Sequence, residues 1–190
     1  MRRTNSVLRE KRAKRQDADL LTVRARPGNP TQGLLNWRGL VFPCALGRGG
    51  IALLKREGDG ATPLGAMRLL GGYFRKGRLS APGRTRLPLA PIGPDDGWCD
   101  EPGDRNYNRP VDLPYSASCE RMMRDDRLYD CCIVLDYNIA PRKRGRGSAI
   151  FFHIARQGYR PTEGCIAVSP RVMARLLPRL SPHTVMRVLR

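Results

Sequence analysis

FFHIARQGYRPTEGCIAV, residues 151–168, is the stretch on which the reading of this chain turns. An apolar run ends in His153, a polar loop follows, and Gly164-Cys165 opens a second apolar run. The pattern is strand, loop, strand. A cysteine nucleophile needs a nearby imidazole to take its proton and stabilise the resulting ion pair. It needs close backbone approach to the reacting carbonyl, which Gly164 permits by lacking a side chain. It also needs N–H groups aimed at the developing oxyanion, which the Gly164–Cys165 turn can offer. On the residues alone two readings stand, because free cysteines are commonly buried and inert and a histidine at a strand end is commonly only hydrogen-bonded.

Outward from this segment, LYDCCIVLDYN (128–138) and SAIFFHI (148–154) read as strands separated by the basic turn PRKRGRG. Cys131–Leu135 is apolar throughout, as a strand buried on both faces would be. On the C-terminal side, Ser169-Pro170 is a helix start, with Ser as cap and Pro at the first helical position. Val172, Met173, Leu176 and Leu177 form its apolar stripe, Pro178 ends it, and TVMRVL closes as a strand. Towards the N-terminus, LLTVRAR and GLLNWRGLVFPCALG alternate with period two around a break at Trp37–Gly39. Gly58–Gly60 reads as a loop in which Glu57 and Asp59 shape a turn, and Pro63–Gly65 leads into another strand. Residues 77–127 are rich in Pro, Gly and Asp; such a length without regular structure is more often functional than passive. A short helix is expected around Ala117–Arg124, and Trp98, Tyr107 and Asn108 are candidates to line a cleft.

Composition sets the outer bounds. The 190 residues fit one domain plus a tail, with a mobile basic arm expected over 1–18 and a folded domain over 19–190. With 20 Gly and 16 Pro, the chain suits a mainly β domain with one or two short helices. The formal charge of +18 comes almost wholly from Arg, since Lys occurs only at 11, 14, 55, 76 and 143. That surplus attracts anions of any kind, and a basic nucleic-acid-binding module with residues 2–15 as contact arm is the alternative reading. Against it, no nucleic-acid motif is present and the strands lack an aromatic platform, so no specific nucleic-acid partner is expected. No apolar run of signal-peptide length follows the basic start, and none spans a membrane; the expectation is a cytoplasmic protein, or a periplasmic one if the start differs or export is atypical. The six cysteines are then expected to be reduced thiols. None forms a C-x-x-C pair, and His153 and His183 lie far apart, so no metal and no cofactor is expected. His183, between Pro182 and Thr184, reads as a turn residue.

His153 followed by Thr162-x-Gly164-Cys165-Ile166 resembles the signature of L,D-transpeptidase (YkuD-type) catalytic domains, and Thr62-Pro63-Leu64-Gly65 resembles the Thr-Pro-x-Gly turn of the same family. The order of the pieces also fits, over roughly residues 20–190. The resemblance implies a mixed β-sandwich, with Cys165 as nucleophile, His153 as general base and acid, Gly164 in the oxyanion turn and Thr162 as an orienting hydroxyl. It implies a peptidoglycan stem peptide or muropeptide as substrate, attacked before its terminal D-alanine to give 3–3 cross-links or a tripeptide. Arg156 and Arg160, in the His–Cys loop, are the candidates to grip its carboxylates. Two positions depart from the family pattern: Glu163 replaces the usual histidine, and Ala167 stands where arginine or asparagine is frequent. These changes bear on the acyl acceptor more than on nucleophilic attack. The sequence leaves the oligomeric state open.

Overall fold

The alternating residues from Leu20 onward fold as an antiparallel meander, β1 (Leu20–Arg26), β2 (Asn29–Trp37) and β3 (Leu40–Ala45). Arg38 and Gly39, at φ 51° and 82°, form the two-residue hairpin turn that matches strand twist. These strands begin a computed structural model that describes residues 20–78 and 85–190; the basic arm expected over 1–18 lies outside them. A short parallel pair follows, β4 (Ile51–Ala52) with β5 (Thr62–Pro63), then the long β6 (Gly65–Phe74) and β7 (Leu89–Pro91). Next come β8 (Asp96–Cys99), β9 (Arg109–Asp112), β10 (Cys119–Arg121), β11 (Cys131–Leu135), β12 (Phe151–Ile154) and β13 (Ile166–Val168). Helix α1 (Pro170–Leu176) and β14 (Val185–Leu189) complete the order.

Nine strands form one mixed sheet in the order β11-β12-β13-β3-β2-β1-β14-β6-β7. The first half of β6 pairs with β14 and its second half with β11, so the sheet closes on itself. The mainly β architecture follows the reading of the sequence, with the two layers supplied by a single curled sheet. Leu21, Val23, Leu35, Met67, Ile133, Phe152, Ile166 and Val188 fill its interior, and Met173 and Leu176 of α1 pack against them. Ser169 caps α1 by accepting the Val172 N–H at 3.3 Å, with Pro170 in the first turn. The chain passes at Leu177 into a tight turn carrying Pro178.

Three expectations are corrected. Cys119–Arg121 is a strand and the helix expected around Ala117–Arg124 does not form; it pairs with Gly97–Cys99 because Glu120 is drawn to Tyr129 Oη at 2.6 Å and Arg124 at 3.3 Å. Tertiary pairing outweighs local propensity here. Residues 77–127 are therefore not without regular structure, since β7 to β10 lie within them and β8 is the centre of a three-stranded sheet. Finally, the strands read at 128–138 and 148–154 are shorter, because Arg127, Asn138 and Ala149 turn the chain at positive φ.

β11 is buried on both faces, as read. Cys131, Ile133 and Leu135 point into the sheet interior, while Cys132 and Val134 face a second cluster with Trp98, Met122, Tyr129, Phe151 and Cys165. That second face carries Cys165.

Candidate active site

Strand alternation decides where His153 looks. Phe152 and Ile154 of β12 enter the main core, so Phe151 and His153 face the second cluster. Opposite Cys132 in the ladder, His153 is buried and lies edge-on to the Tyr129 ring at 5.4 Å. Its Nδ1 is 2.8 Å from the Ile154 carbonyl, which can only accept, so Nδ1 carries the proton and Nε2 keeps its lone pair. Burial pushes the imidazole down from 6.5 to about 4. A base whose folded value is depressed adds stability in full above its unfolded value and loses it as pH falls through the folded one. Thermal melts should therefore show a loss between pH 6.5 and 4 that is shallower by about 5 °C in His153→Gln. Parallel curves for the two proteins would refute a neutral buried imidazole.

Cys165 rests on a turn that only glycine can make. Gly164 has φ +125°, and a Cβ there would lie 2.8 Å from the Ala61 carbonyl oxygen. Thr162 Oγ1 accepts the Gly164 N–H at 3.2 Å and donates to the Cys165 carbonyl at 2.7 Å. Its hydroxyl thus orients the turn and not the imidazole. The Thr162 main chain bonds Leu46 and Arg48 on either side of Gly47, and Gly47 N–H donates to Thr62 Oγ1 at 2.8 Å. The Thr-Pro-x-Gly segment and the cysteine turn are held through one residue, which is why both motifs serve one site. Gly164→Ala is expected to lower the rate of any Cys165-dependent reaction by about 100-fold and the Tm by several degrees, through left-handed strain and the clash. Kinetics with a parallel melt check it, and an unchanged rate would mean that the turn is not functional.

The thiol is buried, donates to Ala149 O at 3.2 Å and accepts the Phe151 N–H at 3.3 Å. Burial pushes it up to about 12. Among the described residues no hydrogen bond joins Sγ to His153, so the imidazole–thiolate ion pair read from the sequence is not the resting state. The resting pair is a neutral thiol and a neutral imidazole, because burial penalises both charged forms.

Cys165, His153, Thr162, Arg156 and Arg160 all line one cleft of about 230 Å³. Arg156 stands 3.5 Å from Asp126, whose carboxylate the Arg124 guanidinium, at 2.6 Å, holds down at about 2. Arg124, which the sequence did not single out, lies between that carboxylate and Glu120 and joins the cationic wall. Glu57, read as a turn former, instead lines the cleft: its carboxylate accepts hydrogen bonds from Tyr107 Oη and from Ser148 Oγ, the latter at 2.9 Å. Asp59 does shape the turn, accepting the Arg56 and Ala61 N–H groups. Asp100 brings a further carboxylate, and its buried Oδ1 has no hydrogen-bond partner among the described residues. Glu163 is exposed and paired with Arg48 at 2.7 Å.

Trp98 and Asn108 stand behind the cleft and brace it. Asn108 Oδ1 accepts Trp98 Nε1–H and the Ala149 N–H, each at 3.0 Å, and its Nδ2 donates to the Tyr137 and Asn138 carbonyls. It thereby fixes the residue whose carbonyl receives the thiol. His183 is exposed, in the turn between the buried Ser181 and Thr184, and is not among the residues lining the cleft. All six cysteines are free thiols.

A model of the YkuD family, the L,D-transpeptidase catalytic domain, matches residues 30–188, from β2 to β14. No curated protein and no solved structure matches the chain. The matched span contains the curled sheet apart from β1, together with the Thr-Pro-x-Gly turn, the histidine strand and the cysteine turn. The chain belongs to the YkuD family of L,D-transpeptidase catalytic domains.

Proposed function

We propose that Cys165 carries out acyl transfer on peptidoglycan stem peptides or muropeptides, with His153 moving the protons. The observation that supports this most is one cleft holding the thiol, an imidazole with a free Nε2, and walls of both guanidinium and carboxylate groups. A stem peptide ending in a diamino acid and D-alanine offers carboxylates and an ammonium, and so has a partner for each wall.

In this reading the substrate excludes water, and His153 Nε2 takes the thiol proton as Sγ bonds to the carbonyl carbon between the diamino acid and D-alanine. The Gly164 N–H is held by Thr162, which leaves the Cys165 N–H as the turn's donor to the oxyanion. The C–N bond then breaks, the leaving amine takes the proton from His153, and a thioester remains on Cys165. Water resolves it to a tripeptide, or the amine of a second stem resolves it to a 3–3 cross-link. Arg156 and Arg160 hold the substrate carboxylates. Glu163 stands where the family usually has a histidine to serve the acceptor, which favours water. Hydrolysis of muropeptides also suits a cytoplasmic location.

The test is mass spectrometry of a disaccharide-tetrapeptide incubated with the protein and with Cys165→Ala. Loss of one D-alanine with only tripeptide formed makes the protein an L,D-carboxypeptidase. A Cys165-dependent 3–3 dimer makes it a transpeptidase. Neither product, or either one formed equally by Cys165→Ala, overturns the proposal.

A further inference from the structure

One buried charge plays no part in the chemistry above. Lys55 follows the exposed pair Leu53-Leu54, yet it is only 3% exposed. Its stem fills the space beneath Gly147, where an added Cβ would come within 2.7 Å of Lys55 Cε. Its Nζ donates to Asp59 Oδ1 at 2.6 Å and to the Arg56 carbonyl at 3.3 Å. The same Nζ lies 3.4 Å from the point a Cβ on Gly164 would occupy. An ammonium is thus buried against the turn that presents the thiol, and it is not among the groups that line the cleft.

Burying an ammonium is costly unless an opposite charge and hydrogen bonds compensate it. A single carboxylate compensates it here. Asp59 remains ionised: burial works against that, but the Arg56 N–H, Lys55 and the Ala61 N–H outweigh it. Its other hydrogen bonds to main-chain N–H groups mean that Lys55 is not required to satisfy it. An uncharged side chain of the same length at 55 would leave the turn intact, so the charge calls for a separate account.

We propose that Lys55 is a positioning residue for Cys165, its ammonium held by Asp59 against the Gly164–Cys165 turn so that a fixed positive charge stands near the sulfur when the thiolate forms. This rests on the reading of Cys165 as nucleophile. His153 cannot fill the same role before it has taken the proton, since it is neutral at rest. The groups that face the thiol are Glu120, Tyr129 and Cys132 across the cluster and Glu163 in its own loop, besides His153. Glu120 and Glu163 oppose ionisation, and Lys55 is the cationic side chain that favours it.

The experiment compares Lys55→Met with Asp59→Asn. The readout is the rate at which iodoacetamide alkylates Cys165 between pH 7.5 and 9.5, followed at the Cys165 peptide so that the other thiols do not interfere. Lys55→Met should slow alkylation about tenfold at each pH, as one unit's rise in the thiol's value requires. Asp59→Asn, which removes the opposing charge, should accelerate it. A merely structural Lys55–Asp59 pair would move both variants in the same direction, and that result, or no change in either, overturns the proposal. If Lys55→Met does not fold, as judged by circular dichroism, acceleration in Asp59→Asn supports the proposal, and slowing or no change overturns it. Failure of the nucleophile assignment would register separately, as turnover surviving in Cys165→Ala.

Discussion

Cys165→Ala is expected to reduce release of D-alanine from a disaccharide-tetrapeptide by about 10⁴-fold or more, while the melting temperature moves by only a few degrees. Removal of a covalent nucleophile abolishes the two-step route and leaves only the binding and electrostatic contributions of the cleft. Among the described residues, no other cysteine lines the cleft. Cys132, in the same cluster, is fully buried and pushed up by burial, as are Cys44 and Cys131 in the main core. The structural loss is small, because among the described residues Sγ makes two hydrogen bonds, to Ala149 O and from Phe151 N–H. Cys165→Ser should retain a donor for Ala149 and still fail, because a hydroxyl is far harder to ionise against a neutral imidazole. The intermediate gives an independent readout: intact-protein mass spectrometry of the wild type at short times should show a thioester adduct that neither variant forms. Full turnover by the alanine protein would end the assignment.

The second large effect is expected at Asn108, which acts on the thiol through one intervening residue, Ala149. Its amide uses its full set of partners in a buried place, with Oδ1 between two N–H donors and Nδ2 between two carbonyls. Asn108→Ala would strand all four, and buried unsatisfied groups cost about 1–3 kcal/mol each before water or relaxation recovers a share. A net loss of about 3–5 kcal/mol follows, or about 10–15 °C in Tm for a chain of this size. Ala149, held at φ 50° with its N–H on Asn108, would be released, and the carbonyl that positions Sγ would move with it. Activity should therefore fall even at temperatures where the variant stays folded. Asn108→Asp is the sharper comparison: it keeps the accepting oxygen but turns a second oxygen towards the Tyr137 and Asn138 carbonyls, so it should not rescue. Denaturant melts with activity assays at 15 °C distinguish these outcomes, and a stability loss below about 1 kcal/mol in both variants would refute the bracing role.

The residues most legible in the sequence are those whose role is local. Ser169-Pro170 carries its own capping chemistry, Arg38-Gly39 its own turn, and Cys131–Leu135 its own double-sided burial. The His153–Cys165 segment could be read for a similar reason: strand alternation and a glycine before the cysteine set the placement of both side chains within a short stretch. What could not be read depends on distant partners. Glu57 looked like a turn carboxylate because nothing near it shows that Ser148, 91 positions away, will donate to it. Arg124 was lost among thirty arginines until Glu120, Asp126 and Tyr129 surrounded it. Strands β8 to β10 are three or four residues long and carry Gly97 and Pro110, so their pairing leaves little periodicity to detect. The resting protonation of the candidate pair could not be read at all, because a sequence shows which groups can meet and not how dry their surroundings are.

The closure of the sheet has a bearing on how the chain comes to fold. β14, at residues 185–189, lies between β1 and β6, although β1 precedes it by more than a hundred and fifty positions. During synthesis β1 and β6 must therefore wait with unpaired edges until nearly every other element has been made. Pairings so distant along the chain come late and fold slowly, and open edges invite pairing with other chains in the interval. Arg24 of β1 and Arg68 of β6, on the strands that wait, place positive charge there, and like charge on another copy would repel it. The order in which the strands pair thus makes the last short strand of the chain the one that shuts the ring.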